Sequence, residues 1–150
     1  MSKKQRRVFM QKHIKEIMNT KVEMIEGNMT IKDALKKMLQ LDFSALPVMK
    51  DKHLMGMITK HDILKKVIAN GKDPGMMKVE EAMNDKMPSC MDEDSLEHVA
   101  EMMMKSKVRG MPVLDKSKMI KGFVSLDDFV HKAHNEKLSF EILKSTTRSA

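Results

Sequence analysis

The sequence has no tryptophan and no tyrosine, and only five phenylalanines among its 150 residues. Aromatic rings are the usual stacking platforms for single-stranded nucleic acid, so their scarcity disfavours that class of partner. No apolar run approaches the roughly 18 residues that a membrane-spanning helix needs. The basic start, Met1 to Arg7, is followed by no long apolar stretch of the kind found in secretory signals. We therefore predict a cytoplasmic protein without a membrane span.

Motifs for catalysis or metal binding are also missing. The single cysteine, Cys90, excludes an internal disulfide and fits a reducing compartment. We expect it to be a small hydrophobic residue of a buried strand. Only His131 and His134 share a helical spacing, and two ligands without a third do not indicate a metal site. No nucleophile elbow, Walker loop or His-Glu-x-x-His motif is present, so no enzyme activity and no metal are predicted.

What the chain does contain is positive charge and methionine. Its 28 Lys and Arg exceed its 21 Asp and Glu, which gives a net charge of +7 and favours anionic ligands or partners. A solvated lysine-rich surface explains the same balance. The 19 methionines include Met38, Met57, Met83 and Met103 at positions where a core would take Leu or Val. Because methionine fills irregular space well, we interpret these residues as core and not as a soft-metal site.

An internal repeat determines the predicted architecture. The segment from Ile14 to Lys21 resembles the segment from Val79 to Lys86 at an offset of 65 residues. The same offset relates Pro47 to Pro112, and it becomes 66 at later positions because one residue is inserted in a turn. A register kept over some fifty residues and broken once indicates a duplicated structural unit.

Each copy predicts the order strand, helix, strand, strand, helix. In the first copy these elements are Val22 to Ile25, a helix capped by Thr30, the hairpin strands Ala45 to Met49 and Leu54 to Thr59, and a helix over His61 to Ala69. In the second copy the helix is capped by Ser95, the hairpin strands are Met111 to Leu114 and Met119 to Ser125, and a closing helix runs from Leu126 towards Lys137. Pro47 and Pro112 are expected at a strand start or on an edge strand, because proline donates no ladder hydrogen bond.

The predicted fold class is therefore α/β (α+β), with two tandem βαββα repeats. Neither half alone buries much core, so we expect the copies to pack about a pseudo-twofold axis. The predicted boundaries are a basic N-terminal tail (1–12), repeat 1 (13–69), a Gly- and Pro-containing linker (70–78), repeat 2 (79–131) and a C-terminal helix and tail (132–150). The first dozen residues and Ser145 to Ala150 are expected to be frayed or dependent on a partner.

A polar signature recurs where the last strand of each copy meets the last helix. It reads Gly56 to Asp62 in copy one and Gly122 to Asp128 in copy two, with a glycine, two apolar residues, a hydroxyl residue and an aspartate three residues later. A hydroxyl residue followed at the third position by a carboxylate forms a capping box, which is a purely structural explanation. The same helix start also attracts phosphate, and an aspartate accepts hydrogen bonds from ribose hydroxyls. The sequence alone leaves both interpretations open.

The repeat, the strand with Pro-Val and the turn signature together resemble paired cystathionine β-synthase (CBS) domains, the Bateman module. The resemblance extends from about Ile14 to Val130. It implies adenosine-nucleotide binding in clefts between the copies, with AMP, ADP, ATP or S-adenosylmethionine as the usual regulatory ligands. It implies no required cofactor. It also suggests a homodimer in which two chains associate through their helices.

The resemblance also assigns site residues in both copies. In the first, Asp62 would hold ribose, Thr59 would contact phosphate or ribose, and adenine would lie near Val22 to Met24 and near Ala45, Leu46 and Pro47. In the second, Asp128 and Ser125 would take the same roles, and adenine would lie near Met87 to Ser89 and near Gly110, Met111 and Pro112.

The two predicted sites differ beside the aspartate. Copy one has Lys60 and His61, which suit a phosphorylated ligand. Copy two has Leu126 and Asp127, and a second carboxylate beside Asp128 should repel a polyphosphate. Arg109 could offset that charge, or it is simply an exposed residue at a helix end. We therefore expect AMP-like ligands at the first site, and a less anionic adenosine derivative or no ligand at the second.

The leading hypothesis is a stand-alone regulatory module that senses adenosine nucleotides and signals to an unidentified regulated protein. The alternative is a basic module that binds nucleic acid or an acidic protein without sensing nucleotides; nucleic acid stays open as a partner but is not favoured. In a third interpretation both clefts are degenerate and the protein only assembles.

Overall fold

The computed structural model describes residues 12–147. The predicted basic tail therefore lies, apart from Lys12, outside the described residues. The chain forms two compact units, and each contains one sheet. The first-copy unit is Glu23–Met87; the second-copy unit combines the described residues up to Val22 with those from Pro88 onward.

The first-copy unit is a three-stranded sheet with two helical segments. Its strands are β1 (Ile25–Glu26), β2 (Ala45–Lys50) and β3 (His53–Thr59), in the order β1-β2-β3, with β1 parallel and β3 antiparallel to β2. Its helices are α1 (Ile31–Leu41) and α2 (Lys60–Ile63), which continues as a π-helical turn (Leu64–Ile68). The unit also contains a 3-10 turn at Val79–Glu81.

The second-copy unit repeats this design and adds a helix. Its strands are β4 (Cys90–Met91), β5 (Gly110–Leu114) and β6 (Ile120–Ser125), and its helices are α3 (Leu96–Ser106), α4 (Leu126–His131) and α5 (Glu136–Thr146). A 3-10 turn at Ile14–Glu16 belongs to the same unit. The predicted mixed α/β fold with a duplicated strand-helix-strand-strand-helix order is confirmed.

The predicted caps and core positions are confirmed. The hydroxyl oxygen of Thr30 accepts a hydrogen bond from the Asp33 N–H at the start of α1, and that of Ser95 accepts one from the His98 N–H at the start of α3. Cys90 is buried in β4, as expected. Three of the four methionines expected in the core are fully or almost fully buried (Met38, Met57 and Met103), and Met83 packs against the core from a partly buried position.

The strand around each proline differs from the prediction. β2 and β5 are the central strands of their sheets, so Pro47 and Pro112 are not on edge strands. The parallel ladder begins only at the next residue, where Ile25 pairs with Val48 and Cys90 pairs with Val113. Because proline has no N–H to donate, no parallel pairing in the described chain precedes this point, and β1 is Ile25–Glu26, which shares only Ile25 with the predicted strand over Val22 to Ile25.

The closing helices also differ from the prediction. The predicted helix over His61 to Ala69 starts at Lys60 and changes to π geometry at Leu64. The predicted helix from Leu126 towards Lys137 ends at His131. His134 adopts φ 51°, and Asn135 caps a new helix by accepting from the Leu138 N–H. Ser145 and Thr146, which were expected to be frayed, belong to α5, whereas residues 148–150 lie outside the described residues.

The leading segment of each copy, residues 13–22 and 78–87, pairs with the hairpin of the other copy. Asn84 exchanges two backbone hydrogen bonds with Met57 inside the first-copy unit, and Asn19 exchanges two with Phe123 inside the second-copy unit. The leading segment of copy two therefore completes the unit built on copy one, and the reverse also holds. Each compact unit therefore combines the sheet of one sequence copy with the leading segment of the other copy.

Candidate functional site

The first candidate turn joins β3 to α2. The N–H of Thr59 donates to Oδ2 of Asp62 at 3.1 Å, and the N–H of Asp62 donates to the hydroxyl oxygen of Thr59 at 3.0 Å. This is the capping box expected from the sequence. The Asp62 side chain is 17% exposed, and its Oδ1 lies 3.9 Å from the Lys66 ammonium. One oxygen of this carboxylate is therefore held by the backbone, while among residues 12–147 the other has only a long ionic contact.

The second candidate turn joins β6 to α4. Oδ2 of Asp128 accepts from both the N–H and the hydroxyl of Ser125, at 2.9 and 3.2 Å. Its Oδ1 lies 3.0 Å from the Lys132 ammonium, and the side chain is 12% exposed. Asp128 is thus bonded at both oxygens, whereas Asp62 keeps the freer Oδ1. This difference favours the first turn as an acceptor for ribose hydroxyls.

Sequence analysis did not identify the lysine partners of these aspartates. Lys66 and Lys132 each lie four residues after the aspartate and are 66 residues apart, which is the repeat offset at this point. The i, i+4 spacing of opposite charges on a helix was a usable signal. Lys66 also donates to the carbonyls of Ala82 and Met83, at 3.0 and 3.4 Å, so it connects the first turn to the leading segment at 78–87.

Backbone hydrogen bonds fix the position of each turn against the neighbouring strand. The N–H of Lys60 donates to the carbonyl of Ser44, and the N–H of Leu126 donates to the carbonyl of Arg109. Ser44 and Arg109 directly precede β2 and β5. Three amides of the first turn, those of Thr59, Lys60 and Asp62, are therefore already bonded. The amide of His61, which is not among these bonds, is the remaining donor for an anion at this turn.

The structure brings the turn residues and the expected adenine-facing strand residues together. Ala45 pairs with Thr59 across the first hairpin, and Gly110 pairs with Ser125 across the second. Leu46 and Pro47, and likewise Met111 and Pro112, follow in the same register and are buried. Each turn and its strand start therefore lie next to each other within a single unit.

The remaining expected residues lie at the segments before β1 and β4. Met24 directly precedes β1, and Ser89 directly precedes β4, so each adjoins its copy's proline position. Val22 and Met87 lie where the chain passes from one unit to the other, and each is grouped with the unit opposite to its own copy's turn. Their contribution to the expected sites stays a prediction.

A lysine that the sequence analysis missed contacts the first of these segments. The ammonium of Lys37 on α1 donates to the carbonyl of Met24 at 2.7 Å and lies 3.4 Å from Oε2 of Glu23. The residue at the matching position in copy two is Met102. In copy one, the Met24 carbonyl near the expected adenine position thus accepts a hydrogen bond from the Lys37 ammonium. Copy two has no lysine at the matching position.

The flanking positions keep the asymmetry seen in the sequence. Lys60 is partly buried and His61 is exposed at the first turn, whereas Leu126 is partly buried and Asp127 is exposed at the second. Arg109 is exposed, and its guanidinium donates to the hydroxyls of Thr146 and Thr147, at 2.9 and 3.4 Å. The ion pair to Asp128 is made by Lys132, and compensation of the second turn's charge by Arg109 stays a prediction.

The glycine of each signature faces backbone and side-chain atoms of a leading segment. A Cβ atom at Gly56 would lie 2.4 Å from the carbonyl oxygen of Asn84, and one at Gly122 would lie 2.7 Å from the Met18 sulfur and 2.9 Å from the Asn19 carbonyl oxygen. The glycines are therefore explained by close approach of protein and not of ligand.

Cys90, the single cysteine of the chain, is buried in β4. Burial raises the pKa of the Cys90 thiol to about 12, which keeps it protonated and unreactive. Within residues 12–147, no three His, Cys, Asp or Glu side chains are grouped to hold a metal ion. Over the same range, no helix is both long and apolar enough to cross a bilayer.

Comparison with known proteins agrees with this fold. The family model described as "CBS domain" matches residues 14–69 and 79–135. The CBS domain-containing protein YhcV of Bacillus subtilis is 33% identical over 124 residues, which cover 82% of this chain and 87% of that protein. A homoserine O-acetyltransferase of Methanobrevibacter ruminantium is 29% identical over 119 residues, but the chain spans only 23% of that enzyme's length.

A solved structure adds a ligand-bound example. The CBS domain pair of protein MJ0100, in complex with 5′-methylthioadenosine and S-adenosyl-L-methionine, has a TM-score of 0.72 and 26% sequence identity to this chain. The match covers 85% of this chain and 99% of that one. Together with the two matches to the family model, these similarities show that the chain belongs to the CBS domain family and carries two CBS domains in tandem.

Proposed function

We propose that the chain is a regulatory module that binds an adenosine-containing ligand at the two turns and transmits the occupancy to a protein partner. Paired CBS domains are regulatory modules. The ligand class follows from the adenosine compounds bound to the related pair of MJ0100. The observation that carries the proposal is the pairing of Ala45 with Thr59 and of Gly110 with Ser125, which joins the expected adenine and ribose contacts in each unit.

The first turn is the better site for a phosphorylated ligand in this proposal. Oδ1 of Asp62 has only the long contact to Lys66, so it accepts from a ribose hydroxyl without losing a short bond. Lys60 adds positive charge for a phosphate, and both Lys60 and His61 add hydrogen-bond donors. At the second turn, a ribose hydroxyl competes with the 3.0 Å contact between Asp128 and Lys132, and Asp127 adds negative charge. An adenosine derivative with little negative charge fits that turn better.

A thermal-shift panel tests this proposal. AMP, ADP, ATP, adenosine and S-adenosylmethionine are compared on the wild type and on the variants Asp62→Ala and Asp128→Ala. A ligand at about 100 times its Kd should add about 2.7 kcal/mol to the free energy of unfolding and raise Tm by a few degrees. Loss of the AMP shift in Asp62→Ala, with the shift kept in Asp128→Ala, supports the proposal.

Asp33→Ala provides a matched control. Asp33 also follows a capping hydroxyl residue by three positions, but it lies at the start of α1, away from the turns. Its removal perturbs a helix start in a comparable way, by about 1 kcal/mol or less, and should leave the ligand shift intact. If no compound of the panel shifts Tm, or if Asp33→Ala and Asp62→Ala reduce the shift equally, the proposal is wrong.

The proposal includes a homodimer and a reducing, cytoplasmic location. Large apolar side chains are exposed in or just after the helical segments of the first-copy unit: Leu39 (64%), Phe43 (41%), Leu64 (59%) and Ile68 (50%). A second copy would bury them. Light scattering on the wild type and on Leu64→Lys tests the dimer. We expect the wild type to be a dimer and Leu64→Lys to be a monomer, and a monomeric wild type would contradict the proposal.

The reducing, cytoplasmic location is supported by the single cysteine, which is buried and free.

Binding of nucleic acid or of an acidic protein is the second candidate, and the net charge of +7 favours it. Such binding should weaken steeply with salt and should ignore adenosine compounds. A titration with single-stranded DNA between 50 and 200 mM salt distinguishes the two, because an adenosine ligand held mainly by hydrogen bonds depends weakly on ionic strength.

A further inference from the structure

Arg109 is bonded to two structural elements, α4 and the end of α5. Its carbonyl accepts from the N–H of Leu126 at 2.8 Å and so holds the start of α4 at the second turn. Its guanidinium donates through Nε to the hydroxyl of Thr146 at 2.9 Å and through Nη2 to the hydroxyl of Thr147 at 3.4 Å. The backbone of Arg109 thus borders the proposed second site, while its side chain is bound to the last turn of α5.

The last turn of α5 is a favourable place for this cation. The carboxyl end of a helix carries partial negative charge, which attracts a guanidinium. The two threonine hydroxyls that accept from Arg109 themselves donate to the carbonyls of Ile142 and Leu143, at 2.8 and 2.6 Å. A chain of hydrogen bonds therefore runs from the terminal carbonyls of α5 to the residue that begins the second site.

Copy one has no equivalent of this connection. The residue matching Arg109 is Ser44, whose carbonyl makes the same bond to the N–H of Lys60 but whose side chain is short. α5 lies beyond the repeated part of the chain and packs on α3 and α4, with Ile142 and Ser139 buried there. The connection is therefore specific to the second-copy unit.

We propose that Arg109 makes the second site sensitive to ligand charge by coupling it to the docking of α5. A ligand without phosphate binds while Arg109 remains on Thr146 and Thr147. A phosphorylated ligand attracts the guanidinium, because a charge-assisted bond to phosphate is stronger than a bond to a neutral hydroxyl. Its binding then removes the contact that holds the end of α5. This inference rests on the proposed function and adds a regulatory output to its second site.

The coupling must act in both directions. If phosphate at the second site loosens α5, then α5 docked through Arg109 weakens the binding of phosphorylated ligands to the same extent. The second site should therefore prefer adenosine over AMP, and removal of the α5 contact should reduce that preference. This direction agrees with the negative charge of Asp127 and Asp128 beside the same turn.

Hydrogen exchange on the full chain tests the inference, with AMP and adenosine as the probes at saturating concentration. Exchange at 110–128 reports occupancy of the second site, exchange at 45–62 reports the first, and exchange at 136–147 reports α5. We expect both compounds to protect 110–128, and AMP alone to speed exchange in the last turn of α5 by about threefold or more. In Arg109→Gln, α5 should exchange fast already without ligand, and AMP should add no further change.

A second variant keeps the test independent of any folding defect. Thr146→Val with Thr147→Val removes the acceptors for Arg109 but preserves side-chain shape at the end of α5. We expect it to raise the affinity of the second site for AMP on the order of fivefold and to leave that for adenosine unchanged. Ser145→Ala, on the same exposed turn, is the control and should change neither affinity.

The outcomes separate the two proposals. Protection of 110–128 by both compounds, with α5 unaffected by AMP, overturns the coupling and leaves the proposed function intact. Protection by AMP at 45–62 only, with no effect at 110–128, has the same consequence. If neither compound protects either turn, the proposed function fails and the coupling fails with it.

Discussion

Gly56 and Gly122 illustrate how single residues in this molecule depend on contacts far along the chain. Each begins the recurring signature that ends in Asp62 or Asp128, and each lies against a leading segment. The contact at Gly56 is with the carbonyl oxygen of Asn84, which belongs to rigid backbone, whereas the nearest atom at Gly122 is the sulfur of Met18. A flexible methionine moves aside more easily than a paired backbone.

The two positions should therefore respond unequally to alanine. We expect Gly56→Ala to lower the free energy of unfolding by about 2 kcal/mol or more, because its Cβ would approach a backbone oxygen to 2.4 Å. Gly122→Ala should cost less, about 1 kcal/mol, because the Met18 sulfur can move and the Asn19 carbonyl oxygen, at 2.9 Å, is farther from the added Cβ than the 2.4 Å backbone contact at Gly56. Urea denaturation measures both, with Gly75→Ala as a control whose nearest contact is a side-chain oxygen at 3.3 Å. Equal losses at Gly56 and Gly122 would contradict this account.

Cys90 provides a prediction of pH dependence. Burial raises its pKa from the ordinary value of 9.0 to about 12, so the folded protein holds this proton more tightly than the unfolded chain. The stabilising effect is complete below pH 9 and is lost as the pH rises from 9 towards 12. We expect the free energy of unfolding to fall more steeply over this range in the wild type than in Cys90→Ala, which lacks the titrating thiol.

Chemical reactivity checks the same point independently. At pH 8 a disulfide exchange reagent should label Cys90 only after denaturant unfolds the second-copy unit, because the buried thiol is neutral and inaccessible. Rapid labelling of the native protein would show that the thiol is exposed or ionised.

At the scale of elements, helix ends are the clearest place where the sequence is not optimal. α1 and α3 both end in a left-handed residue that is not glycine, Asp42 with φ 57° and Lys107 with φ 55°. The following N–H groups, of Phe43 and Val108, bond to the carbonyls of Met38 and Met103 and close each helix. Asp42 also places a negative charge at the negative end of a helix.

Asp42→Gly should therefore stabilise the protein by about 1 kcal/mol, through relief of the left-handed strain and removal of the unfavourable charge. Gln40→Gly, two residues earlier inside α1, is the control and should destabilise by a similar amount, because glycine weakens a helix interior. Thermal unfolding of both variants measures the effect. A loss of stability in Asp42→Gly would contradict the assignment of the helix end.

Much of the element order was predictable because its signals are local. The caps Thr30 and Ser95, both hairpins and the two capping boxes depend on residues a few positions apart, and all are present. The errors have causes that the local pattern does not show. The length of β1 depends on a missing donor at Pro47, a residue of the neighbouring strand. The break before α5 depends on His134, which adopts a left-handed backbone conformation although it is not a glycine, so the sequence gives no sign of the turn.

The candidate site was predictable to a similar degree. The bonds from Thr59 to Asp62 and from Ser125 to Asp128 follow from local spacing, and the strand residues opposite them follow from the hairpin. The contact of Lys37 with Met24 and the contact of Arg109 with Thr146 join separate elements, so no local pattern identified them.

At the scale of the whole molecule, duplication has produced two units of one design with different polar details. In each unit the sheet is completed by the leading segment of the other copy, through the paired backbones of Met57 with Asn84 and of Asn19 with Phe123. Both turns keep an aspartate and a lysine one helical turn apart. The differences lie at positions that would contact a charged ligand or its neighbours. They are the residues before the aspartate, Lys37, whose counterpart is Met102, and Arg109, whose counterpart is Ser44.

The central claim is that the first turn binds a phosphorylated adenosine compound through Asp62. Calorimetric titration of AMP into the wild type, Asp62→Ala and Asp128→Ala at physiological salt tests it most directly. The account predicts one stronger site per chain that is lost in Asp62→Ala and kept in Asp128→Ala. Loss in Asp128→Ala with retention in Asp62→Ala, or heat of binding in none of the three proteins, would contradict it.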